Sequence, residues 1–397
     1  MIKQLRLENW KSFRDATLHI DPLTVLIGTN ASGKSNALDA LQFLARIAAG
    51  GALTTALQGD HNLPGLRGGL EWATRHPHRE FALGVTVQTN ERTEYSYRIE
   101  CEIRHNRCQV RTESLERYLY RGTRRPIARQ KPYVLGLFWS DTCEDEAPAI
   151  VARLYNENRG SPGPLSRGQS LLSQPAAQAS TLRQEISAGV TAVSEALGAV
   201  FILDPIPSHM RGYSPLAEQL QPDAANIAGV IAALPAEQQA RFQKTLTRYL
   251  RRLPEGDIGR VYAERVGKFA TDAMLYCDER WPGVDRAMPV DARGMSDGTL
   301  RFIAILTALR IRPRGSLLVV EEVDSGLHPS RAGVLLDMLT TVGEGRGVDV
   351  LITTHNPAVL DAASPDMVPF ITVAHRDPAD GSSQFTLPEP GRTLGGL

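Results

Sequence analysis

One stretch constrains this chain more than any other: Leu23-Thr24-Val25-Leu26-Ile27-Gly28-Thr29-Asn30-Ala31-Ser32-Gly33-Lys34-Ser35-Asn36. An apolar, β-branched run enters a glycine-bounded loop closed by Lys-Ser, and a helical pattern follows. The loop fits G-x-x-x-x-G-K-[ST], the phosphate-cradling P-loop. Gly28 and Gly33 let the backbone curl until successive N–H groups converge on an anion at the positive end of the following helix. Lys34 can reach the β and γ phosphates, and the Ser35 hydroxyl suits Mg²⁺. The expected nucleotide site is therefore Gly28 with Asn30, Ala31, Ser32, Gly33, Lys34, Ser35 and Asn36. A chance glycine turn would match the loop but not its flanks. Here Ala37, Leu38, Leu41, Leu44, Ala45 and Ala48 mark one face of a helix that Gly50-Gly51 ends.

Bulk properties exclude several classes. A 397-residue chain with 42% hydrophobic and 22% charged residues can bury an ordinary globular core. Lys plus Arg and Asp plus Glu both number 44, so overall charge selects no polyanionic partner. The four cysteines (Cys101, Cys108, Cys143, Cys277) form no C-x-x-C pair, which argues against a zinc site or a disulfide framework. The amino-terminal residues lead into an amphipathic strand, and no apolar run is long enough to span a bilayer. The expected location is the cytoplasm.

Further along, Phe81, Leu83, Val85 and Val87 alternate, as do Tyr95, Tyr97, Ile99, Cys101 and Ile103, then Cys108, Val110 and Thr112. This predicts an antiparallel meander with one wet face. Arg121, Arg124, Arg125, Arg129 and Lys131 form a basic cluster, read as a solvated face or as a contact for an acidic partner. Residues 156–180, rich in Gly, Ser, Pro, Gln and Ala, read as a mobile loop. Helical spacing returns at Leu182 to Leu197, Ile227 to Leu234 and Phe242 to Leu250. The last third predicts a helix over 298–310, a buried strand over 316–320, a helix over 332–339, a buried strand over 348–353 and two closing strands near 370–374 and 383–387.

The second half of the site lies in Leu317-Leu318-Val319-Val320-Glu321-Glu322-Val323-Asp324. An apolar strand ends on two carboxylates, at the edge where open α/β sheets place ligands. Glu321 is assigned to the metal, with Ser35, and Glu322 to activation of the attacking water. Leu351-Ile352-Thr353-Thr354-His355 ends another buried strand on a histidine able to bond a phosphate or that water. Ser296-Asp297-Gly298 opens a helix. By itself it is an ordinary N-cap.

Together these segments resemble the ABC-type ATPase heads of the SMC, RecF and OLD-like group, and more closely the stand-alone AAA-type ATPases of bacterial defence loci. Leu7-Glu8-Asn9-Trp10-Lys11-Ser12-Phe13 is similar to the group's N-terminal strand motif, Gly28 to Ser35 to Walker A, and Ser296 to Arg301 to a degenerate signature. Glu321-Glu322 with Gly326-Leu327-His328-Pro329 resembles Walker B and the loop after it, and Thr354-His355-Asn356-Pro357 the switch histidine. Glu321 replaces the usual Walker B aspartate, and Val323 the usual proline.

The resemblance implies an α/β, P-loop ATPase head assembled from residues 1–119 and 281–397, with an antiparallel β lobe and a mostly helical insertion over 120–280. It implies ATP and Mg²⁺, catalytic Glu322 and His355, and a homodimer or higher oligomer in which Ser296, Asp297 and Gly298 face the partner's nucleotide. The long separation of Lys34 from Ser296 disfavours a transporter subunit. The short stretch after His355 leaves no room for a fused nuclease, so a separately encoded effector, such as a TOPRIM-like nuclease in anti-phage defence, is expected. No N-K-x-D motif selects guanine. The alternative is a RecF-like DNA-repair ATPase that clamps DNA directly through Arg121 to Lys131 and through Arg248, Arg251 and Arg252.

Overall fold

The computed structural model describes residues 1–120, 132–143, 147–176, 182–252, 258–280, 283, 286–326 and 328–388. They form two compact units, one from Met1–Asp21, Gly28–Val200 and Thr372–Leu397, the other from Pro22–Ile27 and Phe201–Ile371.

In the first unit, eight strands form an antiparallel sheet: β1 (Ile2–Glu8), β2 (Asp15–His19), β4 (Glu80–Asn90), β5 (Thr93–Arg104), β6 (Arg107–Leu119), β7 (Tyr133–Ser140), β8 (Ala149–Leu154) and β9 (Ser161–Ser166). Their spatial order is β2-β1-β4-β5-β6-β7-β8-β9. The expected alternation sets the register, with Leu83 opposite Ile99 and Val85 opposite Tyr97. All four side chains are buried. Two helices approach this apolar face, α1 (Lys34–Ala48) and α4 (Gln184–Gly198), while α2 (Leu53–Gln58) and α3 (Ser173–Ala176) are short. Gly189 lets α4 sit close, since a Cβ there would lie 2.3 Å from Leu137 Cδ1. Trp10, Phe43 and Phe81 pack ring on ring, Trp10 at 5.0 Å from Phe81. A hairpin of β17 (Ile371–Arg376) and β18 (Ser383–Thr386) completes the unit.

The middle of the chain departs from expectation. Its helices appear where the spacing placed them, but β7, β8 and β9 carry the antiparallel sheet onward past residue 120, so this half is not a helical insertion. The described part of the stretch expected as a mobile loop, 156–176, holds β9 and is tied down by two buried charged groups, its own Arg167 and Glu113 of β6. Arg167, fully buried, donates to Val110 O, Ala147 O and Glu102 Oε1. Glu113 accepts from Tyr97 Oη, Ser170 Oγ and the Leu171 and Leu172 N–H groups. A polar composition hid these anchors because buried ionic hydrogen bonds, not apolar periodicity, hold the segment. Burial raises the Glu113 carboxyl to about 6 despite those bonds.

The second unit is built on parallel strands in the order β10 (Val200–Leu203), β15 (Leu317–Val320), β16 (Asp349–Thr354) and β3 (Leu23–Ile27). β15 and β16 are buried along their whole length, which is why they read as continuous apolar runs. Val320 pairs with Ile352, and Thr354 with Ile27. The strand that leads into Gly28 thus lies beside the one that leads into His355. Around them pack α7 (Asp297–Ile311), α8 (Ala332–Arg346), α5 (Ile227–Ala233), α6 (Ala236–Leu250) and the short α9 (Pro357–Asp361). α7 buries residues on every side, as a central helix must. β11 (Ser214–Pro215), β13 (Asp272–Glu279) and β12 (Ile258–Val266) make a smaller antiparallel sheet, with β14 (Met288–Asp291) on β13. These strands too fall in the stretch expected to be mainly helical. Among the described residues, no helix is long and apolar enough to cross a membrane.

Candidate nucleotide site

In the first unit, the loop from Gly28 wraps into α1 as the motif requires. Ala31 and Gly33 take left-handed backbone, φ 64° and 109°. The glycines answer a second demand as well. A Cβ on Gly28 would lie 2.2 Å from Ala374 O, and one on Gly33 2.4 Å from Ser383 Oγ. The β17–β18 hairpin is pressed against the loop, and Arg376 Nε donates to Ala31 O at 2.8 Å. Lys34 is buried, with Nζ donating to Gly28 O at 2.6 Å and Thr29 O at 2.9 Å. Ser32 Oγ is buried with no protein partner. A glycine cradle, a lysine drawn over it and an orphaned hydroxyl fit a polyanion of phosphate size. Thr29, Asn30 and Ala31 are exposed at the loop's crest. Asn36 has structural work: Nδ2 donates to Ser12 Oγ at 2.7 Å, and its carbonyl accepts from Trp10 Nε1 at 2.7 Å.

That bond explains the N-terminal motif. Trp10 and Ser12 fix α1, while Lys11, its side chain buried, donates to Asp39 and to Arg67 O. Burial lowers the Lys11 pKa against the opposing pull of Asp39. Beside this network opens a cleft of about 470 Å³ whose walls include Lys11, Ser12, Asn36, Arg67, Trp72 and His76. The Trp72 ring is 61% exposed and meets His76 edge-on, centroids 5.0 Å apart. Trp72 stands in no motif, and the sequence reading missed it.

The carboxylates and the histidine belong to the second unit, at the C-terminal edge of its parallel strands. Glu322 has φ 45°, a conformation that costs a non-glycine residue about 1–2 kcal/mol. Backbone outliers of this kind persist where neighbours over-determine them. Here Thr353 does so: Oγ1 accepts the Glu322 N–H at 2.9 Å, and its carbonyl accepts the Val323 N–H at 3.0 Å. The turn brings Glu322 Oε1 to 3.9 Å from His355 Nδ1, both side chains about half exposed. Thr354 Oγ1 in turn accepts the Asn356 N–H, and Asn356 caps α9. The Thr353-Thr354 pair therefore shapes both turns, a role its strand-end position did not reveal. Glu321 is less exposed, and its N–H lies 3.4 Å from Leu203 O. Among the described residues, no three His, Cys, Asp or Glu side chains gather into a metal cluster.

Ser296 is the N-cap of α7. Its Oγ accepts the Thr299 N–H at 3.2 Å and lies 2.9 Å from Thr299 Oγ1. Asp297 pairs with Arg211 at 2.6 Å, a residue the sequence reading did not single out. Arg301, one turn into α7, lies near Gly326 in the loop after the carboxylates.

Of the two basic surfaces weighed from sequence, Arg121 to Lys131 lies outside the described residues. In the other, Arg248 and Arg252 lie over the Tyr249 ring at 4.9 and 5.6 Å, and Arg252 also pairs with Asp337.

Two family models match parts of the chain. Residues 248–361 match the family model described as AAA domain, putative AbiEii toxin, Type IV TA system, and residues 1–58 match the AAA ATPase domain. No curated protein sequence matches the chain. Among solved structures it is similar to an SMC head bound to the C-winged helix domain of ScpA, at 13% identity, with 98% of each chain covered and a TM-score of 0.51. It is similar to the Pyrococcus furiosus SMC head with an extended coiled coil bound to the C-terminal domain of ScpA: 12% identity, 97% of this chain and 95% of that one, TM-score 0.50. The SMC head domain from Thermotoga maritima is 16% identical over 98% of this chain and 99% of that one, with a TM-score of 0.46. The fold is that of an ABC-type ATPase head. Its fold is similar to that of SMC heads, and AAA-type family models match the stretch holding the P-loop and the segment carrying Glu321, Glu322 and His355.

Proposed function

We propose that this chain binds and hydrolyses ATP and works as an ATP-dependent switch. The observation that carries the reading is Glu322, held in a left-handed turn by Thr353 with its carboxylate beside His355 at the end of β16. Backbone strain over-determined by its neighbours clusters at active sites and ligand clamps, which supports a chemical role for Glu322.

Lys34 supplies the counter-charge for the phosphates, and the loop N–H groups fix their orientation. Glu322 accepts a proton from the attacking water, with His355 as its neighbour and orienting partner. Ser35 and Glu321 offer hard oxygen donors suited to Mg²⁺, which when bound would neutralise phosphate charge. The Trp72 cleft beside α1 takes the base by stacking. Ser296 faces the nucleotide of a second copy, so that ATP joins two heads and hydrolysis releases them.

The AbiEii-like family match supports a place in toxin–antitoxin or defence systems, and in this reading the chain acts there with a separately encoded effector. The alternative, a direct DNA clamp, would use Arg248, Arg251 and Arg252, which are exposed, with Arg248 and Arg252 beside the Tyr249 ring.

Radiolabelled ATP binding and phosphate release test the reading. Lys34→Ala is expected to abolish binding. Glu322→Gln is expected to keep it and slow turnover about a hundredfold or more. Equal loss of binding in both variants would refute the division of roles.

A further inference from the structure

Arg211 lies on the segment between β10 and β11, and its guanidinium is the most heavily used donor near the start of α7. Nη1 donates to three carbonyls, Ala292 at 2.9 Å, Arg293 at 2.9 Å and Met295 at 2.8 Å. Nη2 donates to Asp297 Oδ1 at 2.6 Å. The four acceptors bracket Ser296 on both sides. Ser296's own hydroxyl spends its acceptor on the Thr299 N–H. The cap holds the first turn of α7 from within, and Arg211 holds the approach to it from outside.

The segment bearing Arg211 is itself braced. Asp204 and Ile206 donate their N–H groups to Pro222 O and Asp223 O, and His209 Nδ1 lies 3.0 Å from Asp223 Oδ2. Asn226 bonds Gln219 O and the Gln221 N–H, closing the loop. Met210, next to Arg211, is fully buried. At its start, Leu203 O meets the Glu321 N–H. A rigid segment thus runs from the carboxylate turn to the Ser296 turn and ends in a planar donor that reads four oxygens at once. Only arginine can do this, since lysine offers a point charge without the fork.

We propose that Arg211 is the positioning residue for the Ser296 turn. It fixes the backbone of residues 292–297 so that this turn is preformed for the phosphates of a second copy's nucleotide. This deepens the sandwich reading above and rests on it.

The test uses full-length protein and the variants Arg211→Ala and Arg211→Lys. Arg211→Ala is expected to bind ATP within about threefold of the parent, because the P-loop of the same chain is untouched, and to lose at least tenfold in ATPase rate. Arg211→Lys is expected to recover less than half of that loss. The lesion is expected to act in trans. Mixed with Lys34→Ala, itself inactive, Arg211→Ala is expected to regain about half-site activity, because one interface then carries neither lesion. The mixture of Ser296→Arg with Lys34→Ala serves as the reference. If the reference pair recovers activity and the Arg211→Ala pair does not, the Arg211 proposal fails and the sandwich stands. If the reference pair stays inactive with subunit exchange verified, the sandwich fails. Hydrogen exchange in the isolated protein then judges Arg211 independently of dimers. Amides of 293–299 are expected to exchange at least tenfold faster in Arg211→Ala while those of β16 do not change, and unchanged exchange at 293–299 overturns the positioning role.

Discussion

The Thr353 hydroxyl is the most informative single atom to remove. Thr353 is fully buried, and its Oγ1 accepts the N–H of Glu322, the residue with left-handed backbone. Thr353→Val keeps the shape and β-branching of the side chain, so β16 loses no strand propensity. It leaves the Glu322 N–H without its acceptor, at a cost of about 1–3 kcal/mol. The turn can escape by letting Glu322 return to right-handed backbone, recovering about 1–2 kcal/mol of conformational strain. Either way the carboxylate leaves its place beside His355. At about 1.4 kcal/mol per factor of ten, the turnover rate falls by about five- to a hundredfold, while KM for ATP holds because the P-loop is untouched. Thr353→Ser is the control. It keeps the hydroxyl and loses one buried methyl, about 1 kcal/mol of stability, with turnover within twofold of the parent. Steady-state ATPase assays and urea melts on the same preparations separate the two effects. If Thr353→Val turns over normally, or if Thr353→Ser loses as much activity as Thr353→Val, the strained-turn argument is refuted.

Two further outcomes follow from side chains outside the motifs. Trp72→Ala is expected to raise KM for ATP about five- to a hundredfold, the worth of one stacked base, with little change in kcat, and an unmoved KM would take the base out of that cleft. Glu113, raised to about 6 by burial against an ordinary value of 4.5, holds a proton in the folded chain at pH values where the unfolded chain does not. Its contribution to stability is full below about 4.5, is lost as pH rises through about 6, and amounts to about 2 kcal/mol. Urea unfolding of the parent and of Glu113→Gln at pH 4.5 and 7.5 should show the parent gaining by that amount at the lower pH, and a pH-independent difference would contradict it.

The elements carrying the phosphate loop, the carboxylates and the histidine were legible because their order is local. An apolar run followed by G-x-x-x-x-G-K-S, or ending on Glu-Glu or Thr-Thr-His, declares a strand and what it delivers within a dozen residues. The meander was legible for the same reason, since the two-fold alternation of Phe81 to Ile103 is written along each strand. Strands β7 to β9, β12 and β13 escaped notice. Gly interrupts β7 and β12, Pro and Gly interrupt β9, and none of the five keeps the long, clean two-fold alternation of Phe81 to Ile103.

What only the tertiary structure decided is which side chains hold the others in place. Nothing local links Thr353 to Glu322, Arg211 to Ser296, or Ser383 to Gly33. Each pair is separated by tens to hundreds of residues, and each is made by strands or turns that meet only on folding. The sequence determined the chemical groups and the strand ends that present them, because those depend on neighbours along the chain. Their conformations, including a glutamate in left-handed backbone and a glycine required by a hairpin at the far end of the chain, depend on neighbours in space.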